Sequence, residues 1–229
     1  MAYRYDLHVH TCEGSACARS VGADMADFYK SKGYSGFVVT DHCWSGNTRV
    51  DRSLPWKDWL SEFHKGYEHA KERGEEIGLS VFYGWEYSFH GNDFITLGLD
   101  NDWLLEHPEV TKLDLVDYLN LVREAGAYVI HAHPFFEARY IPYIRLLPRD
   151  VDAVEVVNAP KGEFVNGLAL HYARAYDLIE TGGSDCHSVG ASRLSGIELD
   201  EPAGTLEELI GAMRRREHRV IPPEAAENN

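Results

Sequence analysis

Short apolar runs alternate with amphipathic stretches along this chain, and several of the apolar runs end in a segment carrying His or Asp. The pattern predicts strands over 3–8, 36–40, 79–86, 94–99, 127–131, 153–157, 178–183 and 196–199. It predicts helices over 23–32, 56–76, 113–125, 167–176 and 205–216. The run Phe37-Val38-Val39 is apolar throughout, as suits a strand buried on both faces. Trp59, Phe63, Tyr67 and Ala70 recur at helical spacing and define one buried face. Thr205 and Glu208 stand three apart, the spacing of a capping box. Strand–helix alternation of this kind argues for an α/β fold with a parallel sheet or barrel. No linker or repeat interrupts it, so we read one domain over 1–221 and a loose tail over 222–229.

In parallel α/β barrels the C-terminal strand ends carry the chemistry. Here those ends read Asp6-Leu7-His8-Val9-His10-Thr11, Thr40-Asp41-His42, Glu86, His131-Ala132-His133-Pro134 and Ser184-Asp185-Cys186-His187. Imidazoles two apart on an extended segment point the same way, so His8 and His10 can grip one cation. Asp6 shares that face and can orient an imidazole. A charged pair straight after a buried strand is costly unless it binds something, which makes Asp41 and His42 both candidates. Glu86 suits a bridge, each oxygen serving one ion. Asp93 is a further candidate ligand, and Glu155 reads as a buried structural carboxylate. Asn158 is placed to touch substrate. So many imidazoles and carboxylates exceed what one zinc needs, so two or three divalent ions are implied, as Zn, Mn or Fe. Such a cluster activates hydroxide at neutral pH and clamps attacking and leaving oxygens, which makes phosphoester hydrolysis the natural reaction.

The formal charge of −15 over 229 residues opposes a long nucleic-acid substrate. No apolar run reaches membrane-spanning length, and no basic-then-apolar leader opens the chain, so the cytoplasm is the expected location. The cysteines Cys12, Cys17, Cys43 and Cys186 form no Cys-x-x-Cys pair, and we expect small buried residues near the site and no disulfides.

In this order the motifs resemble the PHP family, named for polymerase and histidinol phosphatase, over essentially the whole chain. The resemblance rests on Asp6-x-His8-x-His10-Thr11, Thr40-Asp41-His42, Glu86, Ala132-His133-Pro134 and Gly183-Ser184-Asp185-x-His187. It implies a distorted (β/α)7, TIM-like barrel with a trinuclear site. His8, His10, Glu86 and Asp185 would hold the first metal, Glu86 and His133 the second, and His42 and His187 the third. His131 would be a pocket neighbour. His187 or His42 would move a proton, with Asp185 also in the catalytic set. Two departures stand out. The acidic or imidazole ligand that follows the first motif has Glu13 as its nearest counterpart, and Asp93 must replace a missing His for the second metal. Arg19, Arg139 and Arg193 lie in loops near ligand segments and are candidates to hold phosphate bidentately. The expected substrate is a small phosphate monoester, such as histidinol phosphate or a nucleotide. A deaminase or lactonase of the amidohydrolase kind, or a phosphodiesterase acting on short oligonucleotides, are the alternatives.

Overall fold

Tyr5, Leu7 and Val9 alternate with Asp6 and His8 along β1 (Tyr3–Val9), so one strand serves both an apolar layer and the polar site. The computed structural model describes residues 2–225. Its elements run β1, α1 (Gly22–Ser31), β2 (Gly36–Val39), α2 (Trp56–Ile77), β3 (Ser80–Phe89), β4 (Asn92–Leu97), α3 (Asn101–Glu106), α4 (Leu115–Glu124), β5 (Tyr128–Ala132), β6 (Ala153–Asn158), α5 (Glu163–Ala175), β7 (Ile179–Gly183), β8 (Arg193–Leu199), α6 (Leu206–Arg214) and β9 (Arg219–Ala225). The sheet order is β7-β6-β5-β4-β3-β2-β1-β8-β9.

Beyond the end of β7, Val9 pairs with Cys186, His10 N–H donates to the Cys186 carbonyl at 2.9 Å, and Cys186 N–H donates to His8 O at 3.2 Å. These bonds bring β7 back to β1 and nearly close seven strands into a barrel. The lower part of β1 pairs instead with β8, antiparallel, from Tyr3 to Tyr5. Helices α1 and α2 cover β1 and β2 through Met25, Tyr29, Phe37 and Ala70. Leu209, Ile210 and Met213 of α6 pack on Tyr5, Leu97 and Tyr128, at the strand ends opposite the His/Asp segments. The capping box at Thr205 and Glu208 forms as expected and starts α6.

An all-parallel sheet is not what forms. β4 is antiparallel to both β3 and β5, and β8 and β9 are antiparallel additions. The reason lies in the two-residue turn His90-Gly91, with φ of 51° and 77°. Positive φ at both central positions makes a tight hairpin that matches strand twist. β3 therefore runs three residues past Glu86, and β4 starts at Asn92. Residues 222–225, expected in the tail, pair with β8 as β9, and 226–229 lie outside the described residues. Pro222 and Pro223 hid this strand, yet an edge strand tolerates them because one side needs no ladder donor. No helix among the described residues is long and apolar enough to cross a membrane.

Candidate metal centre

Seven of the expected side chains converge at the barrel mouth. His8 comes from β1 and His10 from just past its end, where the register with β2 slips between Asp6 and Val9. That bulge turns the strand so that both rings reach the barrel axis. His42 follows β2 and bridges in parallel to Glu86, which lies within β3. His133 follows β5, and Asp185 and His187 follow β7. His133 (φ 28°) and Asp185 (φ 47°) have left-handed backbones, a conformation that non-glycine residues hold only under constraint. Three sets of ligand atoms each lie within 4.8 Å of one another: His8, Glu86 and His133; His8, His10 and Asp185; His10, His42 and His187.

Hydrogen bonds fix which ring nitrogens face inward. His8 Nδ1 lies 3.0 Å from Glu155 Oε1 and donates to it. Ser15 Oγ donates to Asp41 Oδ1 at 2.6 Å, so it accepts from His10 Nδ1 at 3.0 Å. His187 Nδ1 donates to the Asp185 carbonyl at 2.8 Å. With Nδ1 protonated, each Nε2 is left as a lone pair. The Nε2 atoms of His8 and His10 then face each other at 3.0 Å. Two lone pairs at that distance call for a proton or a cation between them.

Glu86 makes the same demand with opposite charge. It is fully buried, and neither carboxylate oxygen accepts an aligned hydrogen bond. His42 Nδ1 lies 2.6 Å from its Oε2, but out of donor alignment; His8 Nε2 and His133 Nε2 lie 3.2 and 3.5 Å from Oε1. Burial alone would raise the Glu86 pKa, but the charges of His42 and His8 and the close approach of the His133 and His42 rings hold it well below the usual carboxylate range. Asp185 is likewise driven down, against its burial, by His8 and His10. Against burial, His8 is raised well above the ordinary imidazole value by Glu155, Glu86 and Asp185. His10 moves the other way, lowered by burial and by His187 and His42. A buried carboxylate without donors, ringed by imidazole lone pairs, fits divalent cations.

Other expected residues take different places. Glu13 turns from the cluster: its Oε1 accepts from Gly22 N–H at 3.1 Å, at the start of α1, and lies 3.0 Å from His69 Nδ1. Asp93 lines the cleft, held by Ser88 Oγ, with Oδ2 3.8 Å from His133 Nε2. His131 does not enter the pocket. It stacks on Phe94 (4.5 Å between centroids) and meets Tyr172 edge-on, in the layer outside the barrel, where burial and His133 lower its pKa to about 3. Strand alternation would have kept His131 and His133 together, but β5 ends at Ala132 and the backbone turns at His133. Asn158 is fully buried and donates to Glu155 Oε2 at 2.9 Å, which makes it a support of the cluster rather than a surface of the cleft. Arg19, Arg139 and Arg193 are exposed and do not line the cleft. Asp6 accepts from His8 N–H, Tyr29 Oη and Ser184 N–H, so it ties backbones together instead of orienting an imidazole.

Glu155 is the buried structural carboxylate expected, and its partners are now specific: it holds His8 Nδ1 and accepts from His133 N–H at 2.9 Å. Two residues at the cleft were not expected there. Lys161, just past β6, lines the cleft with Nζ 3.5 Å from Asp185 Oδ2 and 3.7 Å from the centroid of Phe136. Cys17, expected to be buried, is exposed at the mouth. Each lacks a motif of its own, although Asn158-Ala159-Pro160-Lys161 does follow a strand's C-terminal end. The cleft over these groups has a volume of about 540 Å³, the size of a small-molecule site. Phe136 and Tyr140 line it, whereas Trp44 packs against Trp56 and Trp59.

Gly183 shows how closely the cluster is built. A Cβ there would lie 2.4 Å from Glu155 Oε1 and 2.6 Å from the His8 Cβ. Gly183→Ala should therefore push His8 and Glu155 apart. We expect destabilisation of about 1–3 kcal/mol, the range of core overpacking, with reduced metal retention. Urea unfolding measures the first and elemental analysis the second; a wild-type result in both would show that the site yields easily.

No protein-family model matches the sequence, and no curated protein matches it. Solved structures do share its fold. A two-domain protein from Bacteroides vulgatus, described as containing a predicted PHP-like metal-dependent phosphoesterase, superposes with TM-score 0.73 at 15% identity. The match covers 97% of this chain but 65% of that one, so the chain spans under two thirds of that protein. A putative metal-dependent phosphoesterase from Bifidobacterium adolescentis gives 0.56 at 17% identity, covering 82% of this chain and 89% of its own. An amidohydrolase from Chromobacterium violaceum, with bound sulfate and no metal, gives 0.56 at 14%, covering 98% and 100%. At these identities the likeness is one of fold: a nearly closed, TIM-like α/β barrel.

Proposed function

We propose that this chain is a PHP-type metal-dependent phosphoesterase that hydrolyses a small phosphate monoester at a di- or trinuclear site. One observation carries the reading: the buried, donor-free Glu86 carboxylate facing His8, His42 and His133. His8, His10, Asp185 and Glu86 would hold one cation, and Glu86 and His133, with Asp93 beside them, a second. His42 and His187 would hold a third. Bound there, divalent ions supply an activated water and neutralise charge on the phosphate oxygens.

The chain's own residues do the rest. Glu155, and Asp41 through Ser15, fix the tautomers of His8 and His10, so the cluster is set before substrate arrives. As ligands, His42 and His187 would be unavailable for proton transfer, which leaves it to the other groups lining the cleft. Lys161 can donate to a non-bridging phosphate oxygen, and Phe136 and Tyr140 offer faces for an apolar or ring-bearing leaving group. The cleft's modest volume and the net charge of −15 favour a small substrate over a polyanion.

Lys161→Ala should raise KM for a phosphomonoester about 10–100-fold with a smaller change in kcat, since a hydrogen bond to a charged group contributes roughly 1.5–3 kcal/mol. Equal losses in both parameters would remove Lys161 from substrate binding. A second reading, hydrolysis of a C–N or lactone bond, is supported by the fold shared with the amidohydrolase of Chromobacterium violaceum. A panel separates the two: protein loaded with Zn, Mn or Fe, offered phosphomonoesters, a phosphodiester and a lactone. Phosphate release from monoesters supports the proposal, and lactone opening without phosphate release overturns it.

A further inference from the structure

From β5 to β6 the chain runs through residues 133–152 without a helix or strand. A connection of that length inside a compact domain is usually a binding loop or a lid. This one is strapped to the β3–β4 hairpin. Asn92 Nδ2 donates to Tyr143 O at 3.2 Å, and Asn92 Oδ1 accepts from Arg145 N–H at 2.8 Å. Arg145 lies over the rings of Phe89 and Tyr143, 5.0 and 4.6 Å from their centroids. At Gly91 the strap comes so close that a Cβ there would lie 2.6 Å from Ile141 Cγ1 and 3.1 Å from Tyr140 Cε2. Tyr140 is thus seated on the hairpin, yet it is 71% exposed and lines the cleft. A ring already held in place loses little freedom when a planar ligand stacks on it.

The two rings at the mouth divide their work. Phe136 carries Lys161, whose Nζ lies 3.7 Å from its centroid and 3.5 Å from Asp185 Oδ2. That fills one face of Phe136 and places the ammonium at the cluster end of the cleft, where the reacting phosphate would bind. Tyr140 is the ring left for the rest of the substrate. Lys161 is also the one Lys or Arg among the described residues that line the cleft. Apart from the proposed ion ligands and the rings, the lining includes the small polar residues Ser45, Asn47 and Ser88. With Lys161 and the ions engaged by the phosphate, an anionic group at the Tyr140 end would lose water and meet no cation. The net charge of −15 adds to that cost.

We propose that Tyr140 is a specificity-determining residue, and that the substrate is a monoester with a planar leaving group and no anionic group besides its one phosphate. This rests on the phosphomonoesterase reading above and narrows it. Bisphosphates, and phosphate esters that also carry a carboxylate, are excluded by charge. Aliphatic esters of similar size are disfavoured for want of a flat face to lay on Tyr140.

Two matched pairs of substrates test this. Full-length protein loaded with Zn, Mn or Fe would be given benzyl and cyclohexylmethyl phosphate, then para-carbamoylbenzyl and para-carboxybenzyl phosphate. The first pair are alike in leaving-group basicity and differ in planarity; the second are alike in shape and differ in charge. In kcat/KM, benzyl should lead cyclohexylmethyl by about 3–10-fold, the scale of an aromatic pair. The carbamoyl ester should lead the carboxy ester by about 10–100-fold, the scale of an unpaired buried charge. Tyr140→Ala should cancel the first preference, chiefly through KM, and Tyr140→Phe should keep it. Because Tyr140 is exposed, both variants should fold, and circular dichroism checks it. Equal rates for benzyl and cyclohexylmethyl, or a preference that survives Tyr140→Ala, overturns the role of Tyr140. Equal rates for the carbamoyl and carboxy esters overturns the charge selection. Either result leaves the phosphoesterase reading standing, whereas no phosphate from any of the four esters with any metal overturns both.

Discussion

Glu86→Gln should cut phosphomonoesterase activity by about 10²–10³-fold, the scale seen when one group that stabilises transition-state charge is removed. It should also lower the number of bound ions. The substitution keeps the shape of the side chain, so packing against the surrounding rings survives. What changes is the charge and the chemistry of the two oxygens. A carboxylate can bridge two cations, whereas an amide offers one oxygen and replaces the other with an NH2 group pointing at imidazole lone pairs. Glu86 is buried without an aligned hydrogen-bond donor, and the groups that balance its charge are the imidazoles of His8, His42 and His133, the same side chains that would share its cations. Steady-state kinetics and elemental analysis of the same preparation check both halves of the expectation. A Gln variant with wild-type rate and metal content would refute the cluster as drawn here.

The same substitution has a second readout in metal-free protein. His42 and His8 are raised by Glu86 in spite of burial, His8 by Glu155 first. With an amide in place, imidazole titration followed by NMR should move to lower pH for both. A larger movement is expected at His42, whose contact with Glu86 is 2.6 Å against 3.2 Å for His8.

Why the sequence revealed so much of this site and not the rest has a physical basis. His8 and His10 are legible because strand alternation is local: two residues apart means one face. Asp185 and His187 are legible for a related reason, since a charged segment straight after a buried strand must have a partner. Beyond those segments the inference needs distances that no spacing encodes. Glu155 and Glu13 are both acidic and both near motif residues. Glu155 points across the barrel to His8, and Glu13 points outward to His69, 56 positions away. His131 read as the twin of His133, but a left-handed residue at position 133 sends the rings to opposite sides of the sheet. Three arginines suggested phosphate binding by residue type. The cation in the cleft is a lysine held over Phe136, which only the β6–α5 connection could place. In the fold, the antiparallel course of β4 was not legible because its His90-Gly91 turn does not stand out as Asn-Gly would.

Chelation should destabilise the protein, and more so at pH 8 than at pH 5.5. An ion held at 100 times its Kd stabilises the folded state by about 2.7 kcal/mol. In a domain of this size that is roughly 5–10 °C of Tm per ion. The pH dependence follows from competition between protons and metals for the same atoms. In metal-free protein His8, His42, His133 and His187 are all raised, burial notwithstanding, chiefly by Glu155, by Glu86, by Glu86 and by Cys17 respectively. Stability from a raised imidazole is fully present below its unfolded value near 6.5 and is lost as pH climbs through the folded value. Glu86 and Asp185 are lowered, so their contribution is present above the ordinary carboxylate range and is lost as pH falls through their depressed values. His10, lowered by burial and its imidazole neighbours, opposes one of the four raised histidines. The metal-free form is thus best stabilised by the cluster in mildly acidic solution and loses that support toward pH 8. The metal-loaded form gains over the same interval, because deprotonated imidazoles bind cations more tightly. Differential scanning fluorimetry of loaded and stripped protein across this range should show the gap in Tm widening as pH rises. A gap that is constant or narrows would mean that these imidazoles are not where the ions bind.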